Sequence, residues 1–283
     1  MNTHDLSRGA LAQKGFKAAI AVALMGLASS VFAADAAAYD KLIDEKAAAA
    51  ESQKTVEVQA PVPAIKQGTA LTNEEWNAII AKLPKGSRDG GLAAHGKHFC
   101  SSCHGGQGLA PTDQWPDVSG QPALVTIKAL LDYRDGRRKA TPAAGMMAAA
   151  AAKLTDQEIV DLAALYEDLP GRGADKPSAG TPAPLLVTKG DPSRYITPCA
   201  SCHGMDAKGN PNNLVPVIQG QQAKVLAEML KDYRSQKRTS DMYGEMRVFA
   251  KSLTDQEIDE LAKWYAAEPG RPGSAQPSAP AAK

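Results

Sequence analysis

Apolar and polar positions along the chain recur with a helical period, and no run of β-branched residues reads as a strand. In "LTDQEIVDLAALY", Ile159, Leu162 and Tyr166 fall on one face; in "LTDQEIDELAKWY", Ile258, Leu261 and Tyr265 do the same. Each segment opens with a capping box, Thr155 with Glu158 and Thr254 with Glu257, so each predicts a helix with a sharp start. A middle helix is expected over Pro122–Tyr133 and again over Gln222–Tyr233, and a short helix before each of the two cysteine clusters. Upstream, "LTNEEWNAIIAKLP" predicts a helix capped by Thr72 and Glu75, with Trp76, Ile79, Ile80 and Leu83 as a small apolar face. "YDKLIDEKAAAAES" is a shorter, charged candidate. The fold class is all-α.

The elements repeat. "LTDQEI" occurs at Leu154–Ile159 and Leu253–Ile258, "PGR" at Pro170–Arg172 and Pro269–Arg271, both at an offset of 99. Pro111, Pro116, Gly120–Gln121 and Asp132–Arg134 match Pro211, Pro216, Gly220–Gln221 and Asp232–Arg234 at an offset of 100, so the second copy holds one extra residue before these positions. The expected organisation is a targeting segment at 1–33, an extension at 34–86, a first unit at 87–172, a linker at 173–187, a second unit at 188–270 and a disordered tail at 271–283. The proline-rich linker is semi-stiff.

Composition narrows the class. The 283 residues carry a net charge of +1, which gives nucleic acid nothing to attract it. Arg8, Lys14 and Lys17 precede an uncharged stretch from Ala18 to Ala34, with Val31–Ala33 fitting a small-x-Ala cleavage site. The stretch is short and alanine-rich for a membrane span, so cleavage and export to the periplasm are expected over retention as an anchor. Without residues 1–33 the formal charge becomes −1. Aromatic residues make up only 5% of the chain, and two small domains of such composition bury little apolar surface unaided.

All four cysteines lie in "CSSCHG" and "CASCHG", each pair followed at once by a histidine. A disulfide across two intervening residues constrains the unfolded chain little. A dithiol redox pair wants a βαβ setting, and the two pairs lie too far apart for ordinary zinc-ligand spacing. None of these uses the histidine. Covalent haem does: Cys-x-x-Cys-His attaches c-type haem through both thiols and offers its histidine to the iron. Cys100, Cys103 and His104, with Cys199, Cys202 and His203, therefore hold two covalently bound haem c groups. Glycine- and proline-rich loops between the helices suit a backbone wrapped around a flat group. His95 and His98 have no counterpart in the second copy and read as solvent-facing residues near the haem edge.

The sixth ligand is sought among methionines, whose soft thioether favours ferrous iron. Met147 lies 43 residues after His104, and Met246 lies 43 after His203; each stands seven before the leucine of "LTDQEI". Met242 has Ala143 as its equivalent. Met147 and Met246 are the expected iron ligands with His104 and His203, while Met146 and Met229 read as core filler.

The motifs "CSSCHG", "CASCHG", "GQ" before the middle helix, "DYRDGRR" and "DYRSQKR" after it, and the methionine before "LTDQEI" resemble those of class I cytochrome c domains in tandem, as in the di-haem cytochrome c4 family. The resemblance spans about 87 to 270. It implies two haem domains related by a pseudo-two-fold axis, with haem propionate edges close together. It implies that the carbonyls of Pro111 and Pro211 accept the ligand histidines' Nδ1 protons. It also implies that Tyr133, Arg134, Arg138, Tyr233, Arg234 and Arg238 meet propionates or the domain interface. The 34–86 extension departs from the family and is expected to dock on the first domain. Two closed irons point to an electron carrier rather than a di-haem peroxidase or thiosulfate-oxidising enzyme, both of which need an open iron or a cysteine-type ligand. Expected partners are redox proteins: a quinol-oxidising complex or dehydrogenase as donor and a terminal oxidase or reductase, possibly membrane-bound, as acceptor, with no small-molecule substrate. The alternative is the captive cytochrome subunit of one periplasmic dehydrogenase.

Overall fold

The computed structural model describes residues 70–172 and 182–267, all within one compact unit spanning Val58–Lys283. The targeting segment, the charged candidate at 39–52, the tail and most of the linker lie outside the described residues.

The described residues form helices joined by turns, with two isolated β-bridges in place of strands. In the first copy, α1 (Asn73–Ile80) precedes a lead-in helix α2 (Arg88–Lys97). The motif turn α3 (Ser101–His104), the middle helix α4 (Ala123–Arg134), α5 (Pro142–Ala151) and the terminal helix α6 (Asp156–Asp168) follow. The second copy runs α7 (Leu185–Thr188), α8 (Ala200–His203), α9 (Ala223–Arg234), α10 (Glu245–Lys251) and α11 (Asp255–Ala267).

The terminal helices start where the capping boxes place them. Thr155 and Glu158 exchange bonds at the head of α6, and Thr254 Oγ1 accepts from the Glu257 N–H at 3.2 Å. Ile159 and Ile258 are fully buried, and Leu162, Tyr166, Leu261 and Tyr265 line the same two cores. Gly91 lets α2 lie tight on α6: a Cβ there would stand 2.3 Å from the Asp161 carbonyl oxygen. The lead-in differs between copies. In the second it is a single turn, followed by a bridge between Asp191 and Ile196 around a 3-10 turn at Pro192–Arg194.

The extension docks as its pattern predicts. Both halves of the α1 capping box form, and Trp76, 8% exposed, joins the first core with Ile79, Ile80 and Leu83 packed beside it. The receiving surface includes Leu124, Ile127 and Val160. The equivalent positions of the second copy hold Lys224, Ala227 and Asp259, and the lysine and aspartate are exposed to solvent. One copy carries an apolar face for a cover and the other a solvated one.

Between the copies the contacts are reciprocal. Gln221 Nε2 donates to the Asp117 carbonyl at 2.9 Å and its Oε1 accepts from the Asp117 N–H at 3.0 Å. Gln121 does the same to Val217, at 2.7 and 3.2 Å. The glutamines of the two "GQ" motifs are thus exchanged, as a pseudo-two-fold relation requires. Lys128, buried with Asp132, donates to the Ser240 carbonyl at 3.0 Å. The second copy's extra loop residue falls where Asn210 and Val215 bridge around a turn, and Leu214 from that loop packs against the first core.

Candidate haem sites

Each Cys-x-x-Cys-His motif forms one helical turn, which brings its two cysteines to one side and its histidine to the end. Gly105 and Gly204 follow with φ of 71° and 79°, a left-handed conformation that glycine adopts without strain. At Gly105 a Cβ would come within 2.1 Å of the Leu109 carbonyl oxygen. None of the four cysteines is in a disulfide. Burial raises the thiol pKa of Cys100 and Cys199.

His104 and His203 are 6% and 9% exposed, and burial lowers the pKa of both. Each uses Nδ1 for a backbone carbonyl: His104 to Pro116 at 2.8 Å and His203 to Pro216 at 3.2 Å. This corrects the expectation for Pro111 and Pro211, which stand exposed further up each loop. The repeat pointed at Pro116 and Pro216 equally well, and only the chain path chooses between the pairs. With Nδ1 so committed, Nε2 is the nitrogen left to bind a metal.

Met147 on α5 packs half-buried against the first core, and Met246 in the first turn of α10 against the second. Met146 is 53% exposed. Met242 packs against the first core although it belongs to the second copy, so it is an interface residue. Met229 is not core filler. Its sulfur sits between two guanidiniums, 2.9 Å from Arg138 and 3.2 Å from Arg238.

The basic residues after the middle helices divide into two jobs. Arg134 and Arg234 tie down the start of the terminal helices, through Asp156 and the Leu154 carbonyl and through Asp255 and the Leu253 carbonyl. Arg138 and Arg238 lie over the faces of Tyr133 and Tyr233 at 4.6 and 4.5 Å, and Arg138 reaches across to Met229 of the second copy. Burial, and Arg238 beside it, lower the pKa of Arg138. Asp132 and Asp232 act on these arginines from a distance without a direct ion pair, and Arg238 Nε is buried without a hydrogen bond. A pair of guanidiniums gathered at the interface would suit anionic groups such as haem propionates. The uncommitted Nε2 atoms, the free thiol pairs and these arginines all fit haem.

Two further residues escaped the sequence. His95 is 5% exposed rather than solvent-facing: Nδ1 meets the Tyr166 hydroxyl at 2.9 Å and Nε2 the Gly105 carbonyl at 3.1 Å. It ties the loop after the ligand histidine to α6. In the second copy Arg194 stands at that position, and the buried Tyr265 hydroxyl has only the Cys199 thiol beside it. His98 also turns inward, meeting Glu158 at 2.9 Å.

The cytochrome c family model matches residues 89–166 and 194–265. A cytochrome c4 of Thiocapsa roseopersicina is 34% identical over 58% of this chain and 84% of its own length. A thiosulfate dehydrogenase electron acceptor of Thiomonas intermedia is 30% identical over 61% of this chain and 80% of its own. The crystal structure of reduced recombinant cytochrome c4 from Pseudomonas stutzeri matches with a TM-score of 0.54 and 26% identity, over 65% of this chain and 99% of that one. Two cytochrome c units, a paired interface and relatives of this kind lead to one conclusion: the chain belongs to the di-haem cytochrome c4 family, electron-transfer proteins with covalently bound haem c.

Proposed function

We propose that both irons are closed, His104 with Met147 and His203 with Met246, and that Cys100, Cys103, Cys199 and Cys202 hold the two haems. The observation that carries this is the equal register of the two copies: the same 43-residue interval separates histidine from methionine in each. Met147 and Met246 also sit half-buried against their own cores, while Met146 is exposed and Met242 lies at the interface. Bound haem supplies a one-electron ferric–ferrous couple. The chain's residues tune it: a thioether favours the reduced state, and a histidine whose Nδ1–H is held by a carbonyl is the stronger donor. Arg138 and Arg238 neutralise propionate charge at the interface.

The protein is read as an exported relay in the periplasm. It accepts electrons from a dehydrogenase or quinol-oxidising complex and passes them to a terminal oxidase or reductase. Relatives named thiosulfate dehydrogenase electron acceptor and cytochrome subunit of sulfide dehydrogenase favour a sulfur-oxidising dehydrogenase as donor. No helix among the described residues is long and apolar enough to cross a membrane. A redox titration followed by spectra with and without carbon monoxide tests the closed-iron reading. Two couples per chain and no carbon monoxide adduct are expected; a ferrous adduct in the native protein contradicts it.

A further inference from the structure

We propose that Gln121 and Gln221 are positioning residues that act across the domain interface, each tuning the axial histidine of the opposite domain. The proposal rests on the reading that His104 and His203 ligate iron. The peptide group between Pro116 and Asp117 is one planar, conjugated unit. Its carbonyl oxygen accepts from His104 Nδ1 at 2.8 Å, and its N–H donates to Gln221 Oε1 at 3.0 Å. The peptide group between Pro216 and Val217 accepts from His203 Nδ1 at 3.2 Å and donates to Gln121 Oε1 at 3.2 Å. Two relays therefore run in opposite directions through the interface, each from a histidine through a single amide to a glutamine of the other domain.

The glutamine grips at two points. Its Nε2 donates to the next carbonyl, that of Asp117 or Val217, so the side-chain amide cannot rotate away without breaking both bonds. Gln221, Asp117 and Val217 are each less than a tenth exposed, so water does not compete. The relays differ in one respect: Gln221 Oε1 also accepts from the Gln222 N–H at 3.1 Å, while the equivalent Pro122 has no N–H to give.

Hydrogen bonds in such a chain polarise one another, by about 10–30% per bond. An acceptor at the N–H end of an amide shifts electron density toward its carbonyl oxygen. That oxygen then holds the histidine's Nδ1 proton more strongly, and the imidazole becomes a better donor to ferric iron. Each glutamine thus lowers the reduction potential of the haem in the domain to which it does not belong. A side-chain amide offers acceptor and donor on two neighbouring atoms, as this grip needs, and asparagine is one carbon shorter.

The test uses the full-length two-haem protein with 15N-labelled histidine. Gln221→Met and Gln121→Met remove the amide at similar volume. Hyperfine-shifted imidazole resonances, followed through a redox titration, report each haem by its own histidine. Gln221→Met is expected to raise the potential of the haem bound by His104 and to move the His104 Nδ1–H resonance, with the His203 haem little changed; Gln121→Met gives the mirror image. Gln221→Asn, which keeps an amide in the interface but falls short of the Asp117 N–H, shifts in the same direction. A change confined to the mutated domain's own haem, an equal change at both, or none overturns the relay. Absence of hyperfine-shifted signals from His104 and His203 in the unmodified protein overturns the ligation reading itself, and the relay with it.

Discussion

At the residue scale, the two copies set up comparisons that one domain could not. His95 occupies the first copy, and the position of Arg194 the second. His95→Phe leaves the buried Tyr166 hydroxyl with only Cys100 beside it and is expected to cost the first domain about 1–3 kcal/mol. The second, which has Arg194 in place of that histidine, stays unchanged; chemical denaturation monitored at each domain separately reads the difference. Glu257 gives a pH-dependent counterpart. Arg194 beside it lowers its pKa from 4.5 to about 2. A depressed carboxylate contributes stability above its unfolded value and loses it as pH falls toward its folded one. Glu257→Gln should therefore destabilise the second domain near neutrality, with the deficit closing between pH 4.5 and about 2 in acid-unfolding curves. Met146→Leu, at an exposed position, should cost less than ~1.5 kcal/mol and leave both haem spectra intact. The haem-attachment motifs were legible because their spacing alone encodes them. The Pro116 carbonyl and the inward turn of His95 were not, because both depend on how a glycine-rich loop closes in space.

Among the elements, the capping boxes and apolar faces announced the middle and terminal helices to within a residue or two. That is expected where local propensity and burial agree. The second lead-in was expected as a helix and is one turn, because Gly190 at φ 66° reverses the chain before Ile196. Helix α1 was legible as an amphipathic helix, but its docking ground was not: Leu124, Ile127 and Val160 are distant in sequence, and each belongs to a helix with its own core face. Trp76→Ala removes the anchor of that contact. A loss of about 3–5 kcal/mol from the first domain is expected, with α1 released to proteolysis while the second domain's melting is unchanged. Equal loss in both domains would mean that α1 steadies the whole molecule rather than its own half.

For the molecule as a whole, duplication has been spent on asymmetry. The interface keeps the pair relation through Gln121 and Gln221, yet one copy contributes Lys128 and the other Met229, Leu214 and Met242. The first domain took a cover helix, and the second a longer loop whose Leu214 reaches across. These differences give the two haem sites different surroundings. The central claim is that each domain closes its own iron with one methionine. The weak sulfur-to-iron charge-transfer band of the ferric protein, integrated per chain, tests it most directly. Met147→Leu and Met246→Leu should each remove about half of the band in the full-length protein, the double variant should remove all of it, and Met146→Leu should remove none. Met147→Leu or Met246→Leu alone keeping the whole band, or either alone abolishing it, contradicts the account.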